Sequence, residues 1–170
     1  MGFELRAHLV LLMVAAAGVV VLPAAASRTT PVPSGAQRQI VAYFGRTYLP
    51  GWLPPGYVFA KWHSQAGSAS AYGESLVVDF GKHGDQVQWT VGDAADPAGY
   101  GGDACSSHPY GARYIRVGTR RIVFQSGNHG ATATLCVRSA HGVSAITVWN
   151  VHTLSPRAQA QIAASARIVG

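Results

Sequence analysis

The stretch ATATLCVRSAHGVSAITVW, residues 131–149, reads as two strands joined by a tight turn. Side chains alternate along a strand, so Leu135 and Val137 share one side while Thr134, Cys136 and Arg138 share the other. On the second strand Ile146 and Val148 oppose Ala145, Thr147 and Trp149. A two-residue turn at His141-Gly142 pairs Leu135 with Val148 and Val137 with Ile146. The aliphatic side then needs a cover, and the end of the chain supplies one. Ser155 suits a helix N-cap and Pro156 the first helical position. Ala158, Ile162, Ala166 and Val169 follow at helical spacing, with Arg157, Gln161 and Arg167 left to water. Cys136 faces away from that helix, with Trp149 on the same side.

Working upstream, the texture stays β-like. Short runs rich in β-branched and aromatic residues predict strands at Tyr57–His63, Ser75–Phe80, Gln86–Val91, Tyr114–Val117 and Arg120–Gln125. Gly81 to Asp85 reads as a hairpin loop, and Gly118-Thr119 as a two-residue turn. That second turn sets Val117 opposite Arg120, Arg116 opposite Arg121 and Ile115 opposite Ile122. Between the third and fourth strands lies the Gly-rich run 92–112, longer than compact domains usually allow without a functional reason. Ala36, Ile40, Phe44 and Tyr48 recur at i, i+4, i+8 and i+12 and predict a short N-terminal helix, stopped by the prolines at 50, 54 and 55. The fold class is therefore α+β: a curved antiparallel sheet of about seven strands, a short N-terminal helix, and a C-terminal helix on one face.

A chain of 170 residues holds one domain with an address in front of it. Leu9 to Leu22 is apolar throughout apart from Gly18, and Pro23 ends the run. Ala24-Ala25-Ala26 before Ser27 fits signal-peptidase cleavage. The expected division is a signal peptide over 1–26, a flexible linker over 27–35 and a single domain over 36–170. The alternative is a membrane anchor left uncleaved, but the apolar core falls short of the about 20 residues a spanning helix needs. Export gives the two cysteines a meaning, because Cys105 and Cys136 can stay oxidised outside the cytoplasm. Their bond would pin the 92–112 loop across the sheet, beside Trp149, and would contribute roughly 3.5–4 kcal/mol. The geometric condition is a Cα separation below about 7 Å.

Leu53-Pro54-Pro55-Gly56-Tyr57 opens the strands, and Ala145-Ile146-Thr147-Val148-Trp149 with Leu154-Ser155-Pro156 closes them. On these residues the chain resembles a family of uncharacterised bacterial extracytoplasmic domains with a Leu-Pro-x-Gly-Tyr or Leu-Pro-x-Gly-Phe motif before the first strand. That family is distantly similar to the periplasmic regulators of sigma-factor signalling and to the lipoprotein carriers. The resemblance spans residues 48–169 and implies a curved antiparallel sheet against helices, with binding or sensing rather than chemistry. The 92–112 loop and the cysteine pair depart from its pattern.

Familiar chemistries find no foothold. The histidines after the leader, His63, His83, His108, His129, His141 and His152, form no metal-binding spacing, so no metal is expected. No G-x-S-x-G or Ser-x-x-Lys nucleophile motif occurs, and no phosphate-binding or cofactor motif either, so no cofactor is expected. Glu74 and Asp79 sit on opposite sides of one strand, which argues against a paired-carboxylate glycosidase. Two features invite a ligand instead. Arg116 facing Arg121 sets like charges opposite each other, and a bound anion relieves that repulsion. Seven aromatics between Tyr43 and Trp62 either fill the core or line a groove, and Trp52, Tyr57 and Trp62 are the candidates for a groove.

The function read from this pattern is a secreted or envelope-associated, non-enzymatic binding or sensing domain. Its partner is an envelope ligand of unknown identity: an anionic lipid, a polymer or a protein, and no nucleic acid. A small secreted hydrolase or lyase with its site in the 92–112 loop is the alternative, and an envelope structural protein the third reading. Catalytic residues are not assigned.

Overall fold

The computed structural model describes residues 30–66, 73–94, 103–106, 109–139, 142–151 and 153–170. In chain order its elements are α1 (Ser34–Phe44), β1 (Thr47–Leu49), β2 (Val58–Ala66), β3 (Glu74–Lys82) and β4 (Asp85–Asp93). After one 3-10 turn at Asp103–Cys105 come β5 (Arg113–Val117), β6 (Arg120–Gly127), β7 (Gly130–Ser139), β8 (Gly142–Asn150), α2 (Pro156–Ala164) and β9 (Arg167–Val169). Strands β2 to β8 form an open antiparallel sheet in the order β2-β3-β4-β8-β7-β6-β5, and β1 pairs with β9 as a small separate ribbon. The α+β arrangement expected from the sequence is the one observed.

The order explains the length of the 92–112 run. Every neighbouring pair is antiparallel, so β4 and β5, four steps apart, point the same way. The chain must leave one end of β4, cross about 19 Å of sheet, and enter β5 from the opposite end. A tight turn cannot do that, whatever else the loop does; residues 95–102 and 107–108 lie outside the described residues.

One face of the sheet carries the main core. Leu76, Val78 and Phe80 of β3, Trp89 of β4, Ile146 and Val148 of β8, and Ile40 of α1 are all essentially inaccessible to water. Helix α2 lies over β5 to β8 with Ala160, Ile162 and Ala163 inward. Trp62 of β2 packs its ring against Tyr43 and Phe44 of α1, at 6.0 and 6.2 Å between centroids. The β1–β9 ribbon sits on the same face, and its Tyr48 carbonyl accepts the indole N–H of Trp89 at 3.2 Å. Gln159 of α2 is the polar exception: it is buried, and neither atom of its amide finds a hydrogen-bond partner.

Four details differ from the sequence reading. The β7–β8 ladder pairs Leu135 with Ile146 and Val137 with Ser144, and closes at Ser139↔Gly142. That register is two residues away from the one based on a His141-Gly142 turn. A slip of two preserves the alternation, so each side chain keeps its face. Helix α1 stops at Phe44 because Gly45 takes φ 66°, which leaves Tyr48 free for β1. It also starts at Ser34, and Val32, within the segment expected as linker, is 1% exposed. Helix α2 stops at Ala164, where the Ser165 hydroxyl turns back to the Ile162 carbonyl at 2.7 Å, and the β-branched Ile168 and Val169 enter a strand instead.

Candidate binding site

The second face of the sheet carries the cysteines. Cys105 and Cys136 are bonded, with 5.7 Å between their Cα atoms. The Asp103–Cys105 turn lies against β6, β7 and β8, with Ala104 buried. Trp149 shares this face four residues along β8 from Ala145, where its indole closes over Gly130. A Cβ at Gly130 would lie 2.6 Å from that ring nitrogen, so only glycine fits there. Trp149 thus packs at the Gly130 end of the strand, away from the half-disulfide at Cys136.

Beside the disulfide the sheet forks. The β6–β7 ladder runs from Gly127↔Gly130 to Val123↔Thr134 and ends there, although β6 extends back to Arg120 and β7 on to Ser139. Strand β5 stays with β6 to the turn, Val117↔Arg120. The two hairpins therefore part, and an opening of about 620 Å³ lies between them. Leu135 to Arg138 edge it on β7, with Tyr48, Ala166 and Ile168 of the ribbon region on the helix side. Arg120 is held toward the helix: its guanidinium donates to the carbonyls of Ala164 at 2.5 Å and Ala166 at 3.1 Å. A cation there also suits the negative end of α2.

The basic side chains gather at this end. Arg116 and Arg121 face each other across the β5–β6 hairpin, as the turn at Gly118-Thr119 dictates. Both side chains fall on the disulfide face, since Arg121 shares its side of β6 with Val123, whose partner is Thr134. Arg138, two residues beyond Cys136, joins them. All three are exposed. The guanidinium of Arg121 lies 3.5 Å from the ring centre of Tyr114, a cation–π contact. No carboxylate balances them on their own strands: β5, β6, β7 and β8 contain no Asp or Glu. Indeed the whole stretch after Asp103 holds seven arginines and no acidic residue. Glu74, Asp79, Asp85 and Asp93 lie on β3 and β4, across the sheet.

Of the aromatic candidates, Trp52 and Tyr57 border one shallow opening along the Leu53–Gly56 turn, and Trp62 lies apart from it. Trp62 holds α1 against β2, and its indole N–H donates to Gln39 at 3.3 Å. Trp52 is 41% exposed beside the end of α2, where its backbone N–H donates to the Ser165 hydroxyl at 3.1 Å. Tyr57 is buried and its hydroxyl donates to Asp85 at the start of β4. Asp85 also accepts from the Thr153 hydroxyl at 2.5 Å, the Asn150 amide at 3.0 Å and the backbone N–H of Gln86 at 2.8 Å. Burial and the bond to Asp85 push the Tyr57 phenol up to about 12. Burial works to raise the Asp85 carboxyl as well, but its donors Thr153, Tyr57, Asn150 and Gln86 outweigh that and hold it below the ordinary value. The Leu-Pro-Pro-Gly-Tyr segment thus clasps the β3–β4 hairpin to the β8–α2 connection, with Gly56 supplying the φ of 91° that the approach to Lys82 requires.

A second opening, about 660 Å³, lies where β4 runs into the long crossover. Glu74 and Asp93 border it, with no histidine among the described residues lining it. The Glu74 carboxylate accepts the Tyr43 hydroxyl at 2.5 Å. His83 occupies the β3–β4 turn with φ 45°, and His129 the β6–β7 turn. Among the described residues no three His, Cys, Asp or Glu side chains converge as a metal site, and no helix is long and apolar enough to cross a membrane.

No protein-family model matches the sequence, and no curated protein does. Among solved structures, MucB in complex with MucA(peri) aligns with a TM-score of 0.44 at 12% identity, covering 71% of this chain and 36% of that one. The MucA/MucB complex of Pseudomonas aeruginosa aligns at 0.45 and 12% identity, covering 71% and 34%. The chain spans about a third of the length of these neighbours. These likenesses are distant and extend to neither ligand nor motif.

The fork and Arg138 were not singled out from the sequence. Nothing in a one-dimensional pattern marks where a ladder ends. The segregation of charge was a usable signal, since it is visible as an acid-free run from residue 104 onward.

Proposed function

We propose that this chain is an extracytoplasmic, non-enzymatic binding domain that holds an anionic partner at the arginine-bearing end of its sheet. The observation that carries the reading is the in-register pair Arg116–Arg121, with Arg138 on the same face and no carboxylate on strands β5 to β8. Exposed like charges repel, and evenly mixed surface charge avoids the cost; here the arrangement concentrates it. The disulfide supports a location outside the cytoplasm, where such bonds persist. Trp52 offers the one exposed aromatic of the three candidates, beside the end of α2 and near Val117 of β5, and stands as an accessory contact.

Heparin serves as a polyanion probe. The wild-type domain is expected to be retained on a heparin column and to elute with salt, and Arg116→Gln/Arg121→Gln to elute at clearly lower salt. Elution of the variant at the wild-type position would remove those two arginines from the site.

A further inference from the structure

Resting on the anionic-partner reading, we propose that the partner is a peptide segment. It adds as a strand to the open edge of β7 in the fork, and its side chains alternate acidic and apolar.

Among the described residues no strand pairs with this edge beyond Thr134. The β6–β7 turn at Asn128-His129 closes on Gly127↔Gly130, so Gly130, Thr132 and Thr134 aim their backbone N–H and C=O groups at β6. The same alternation aims those of Cys136 and Arg138 the same way, past the point where the ladder has ended. A strand pairing there antiparallel to β7 continues the pattern of the whole sheet.

The size fits. One residue of paired strand fills about 160 Å³, from a rise near 3.4 Å, a strand spacing near 4.8 Å and a layer near 10 Å thick. The 620 Å³ opening therefore takes about four residues, the length of Leu135 to Arg138.

The two walls set the sequence of the guest. On the helix side the opening meets Leu135, Val137, Tyr48, Ala166 and Ile168, of which Ile168 is 50% exposed, together with Arg167 and with Arg120, whose guanidinium is engaged by the Ala164 and Ala166 carbonyls. On the disulfide side Arg138 borders the opening, and Arg121 and Arg116 follow on the same face of the neighbouring β5–β6 hairpin. An extended guest points successive side chains to opposite walls, so apolar residues meet the first and carboxylates the second. An anionic lipid uses the arginines but has no use for a backbone edge, and the edge is what favours a peptide.

The probe is a fluorescein-labelled peptide of alternating valine and glutamate, read by fluorescence anisotropy against the disulfide-bonded domain. In antiparallel pairing, the residues opposite Cys136 and Arg138 share their face, so the glutamate N–H groups are the ones that pair with β7. Wild type is expected to bind the peptide, and to bind a valine–lysine peptide at least about tenfold more weakly. Methylating the glutamate nitrogens is expected to cost about tenfold or more, and methylating the valine nitrogens to spare binding. Arg116→Gln/Arg121→Gln/Arg138→Gln is expected to weaken the unmodified peptide by about tenfold or more. Equal binding of the glutamate-methylated peptide would overturn strand addition. So would binding of phosphatidylglycerol vesicles but not of the peptide, with the anionic-partner reading left standing. Binding of neither peptide, vesicle nor heparin would overturn both.

Discussion

Tyr57 acts through its hydroxyl, and this sets a pH window. Its folded pKa stands at about 12, above the ordinary value of 10.0, so the folded state keeps a proton that the unfolded chain releases. The stability this contributes is complete below pH 10.0 and is lost as pH rises toward about 12. Asp85 works from the other end. Its folded pKa is lowered, so its contribution is complete above the ordinary value of 3.8 and is lost as pH falls through the lower folded one. Thermal unfolding followed across pH is therefore expected to show an acid limb and an alkaline limb. Tyr57→Phe is expected to flatten the alkaline limb and to lower stability at neutral pH by about 1–2 kcal/mol, from the loss of a hydrogen bond to a charged acceptor. An unchanged alkaline limb in that variant would mean that Tyr57 is not the titrating group. Tyr57 also serves as a clasp, which the sequence could not show: burial and the identity of Asp85 as acceptor depend on chain brought in from 28 residues away.

At the scale of elements, what could be read in advance was whatever period and turn chemistry control. The β5–β6 register follows from Gly118 at the first turn position, and the structure has it residue for residue. The sides of β7 and β8 follow from alternation, and survive a register displaced by two. The ribbon β1–β9 was not legible. Its strands are three residues each, Thr47–Leu49 and Arg167–Val169, too short to establish a period, and each trails a helix whose pattern absorbs it. Nor was the reach of the crossover legible as topology: a Gly-rich run looks functional until the strand order shows that it must span the sheet. The disulfide binds that crossover to β7. Replacing both cysteines, Cys105→Ala with Cys136→Ala, is expected to cost about 2–4 kcal/mol in urea unfolding. It is also expected to weaken polyanion retention if the turn at Asp103–Cys105 helps to shape the fork. A double variant as stable as wild type would show that the closed loop adds nothing to folding.

Over the whole molecule the sheet is electrically lopsided. Its β3–β4 side holds four carboxylates, while β5 to β9 and α2 hold all seven arginines found after Asp103 and no acid. The formal net charge of +6 understates this, because Lys61 and Lys82 stand beside the carboxylates on β2 and β3, whereas strands β5 to β9 and α2 carry arginines alone. A field of that shape orients an approaching anion toward the fork before any contact forms, and its reach shrinks from about 10 Å at ~0.1 M salt to about 3 Å at ~1 M. The partner is expected to bind at this end of the sheet. The most direct measurement is an amide chemical-shift titration of the labelled domain with a short heparin oligosaccharide. The largest shifts are expected on Arg116, Arg121 and Arg138 and their strand neighbours, fading with added salt. Shifts centred instead on β2 to β4, or spread evenly over the sheet, would contradict it.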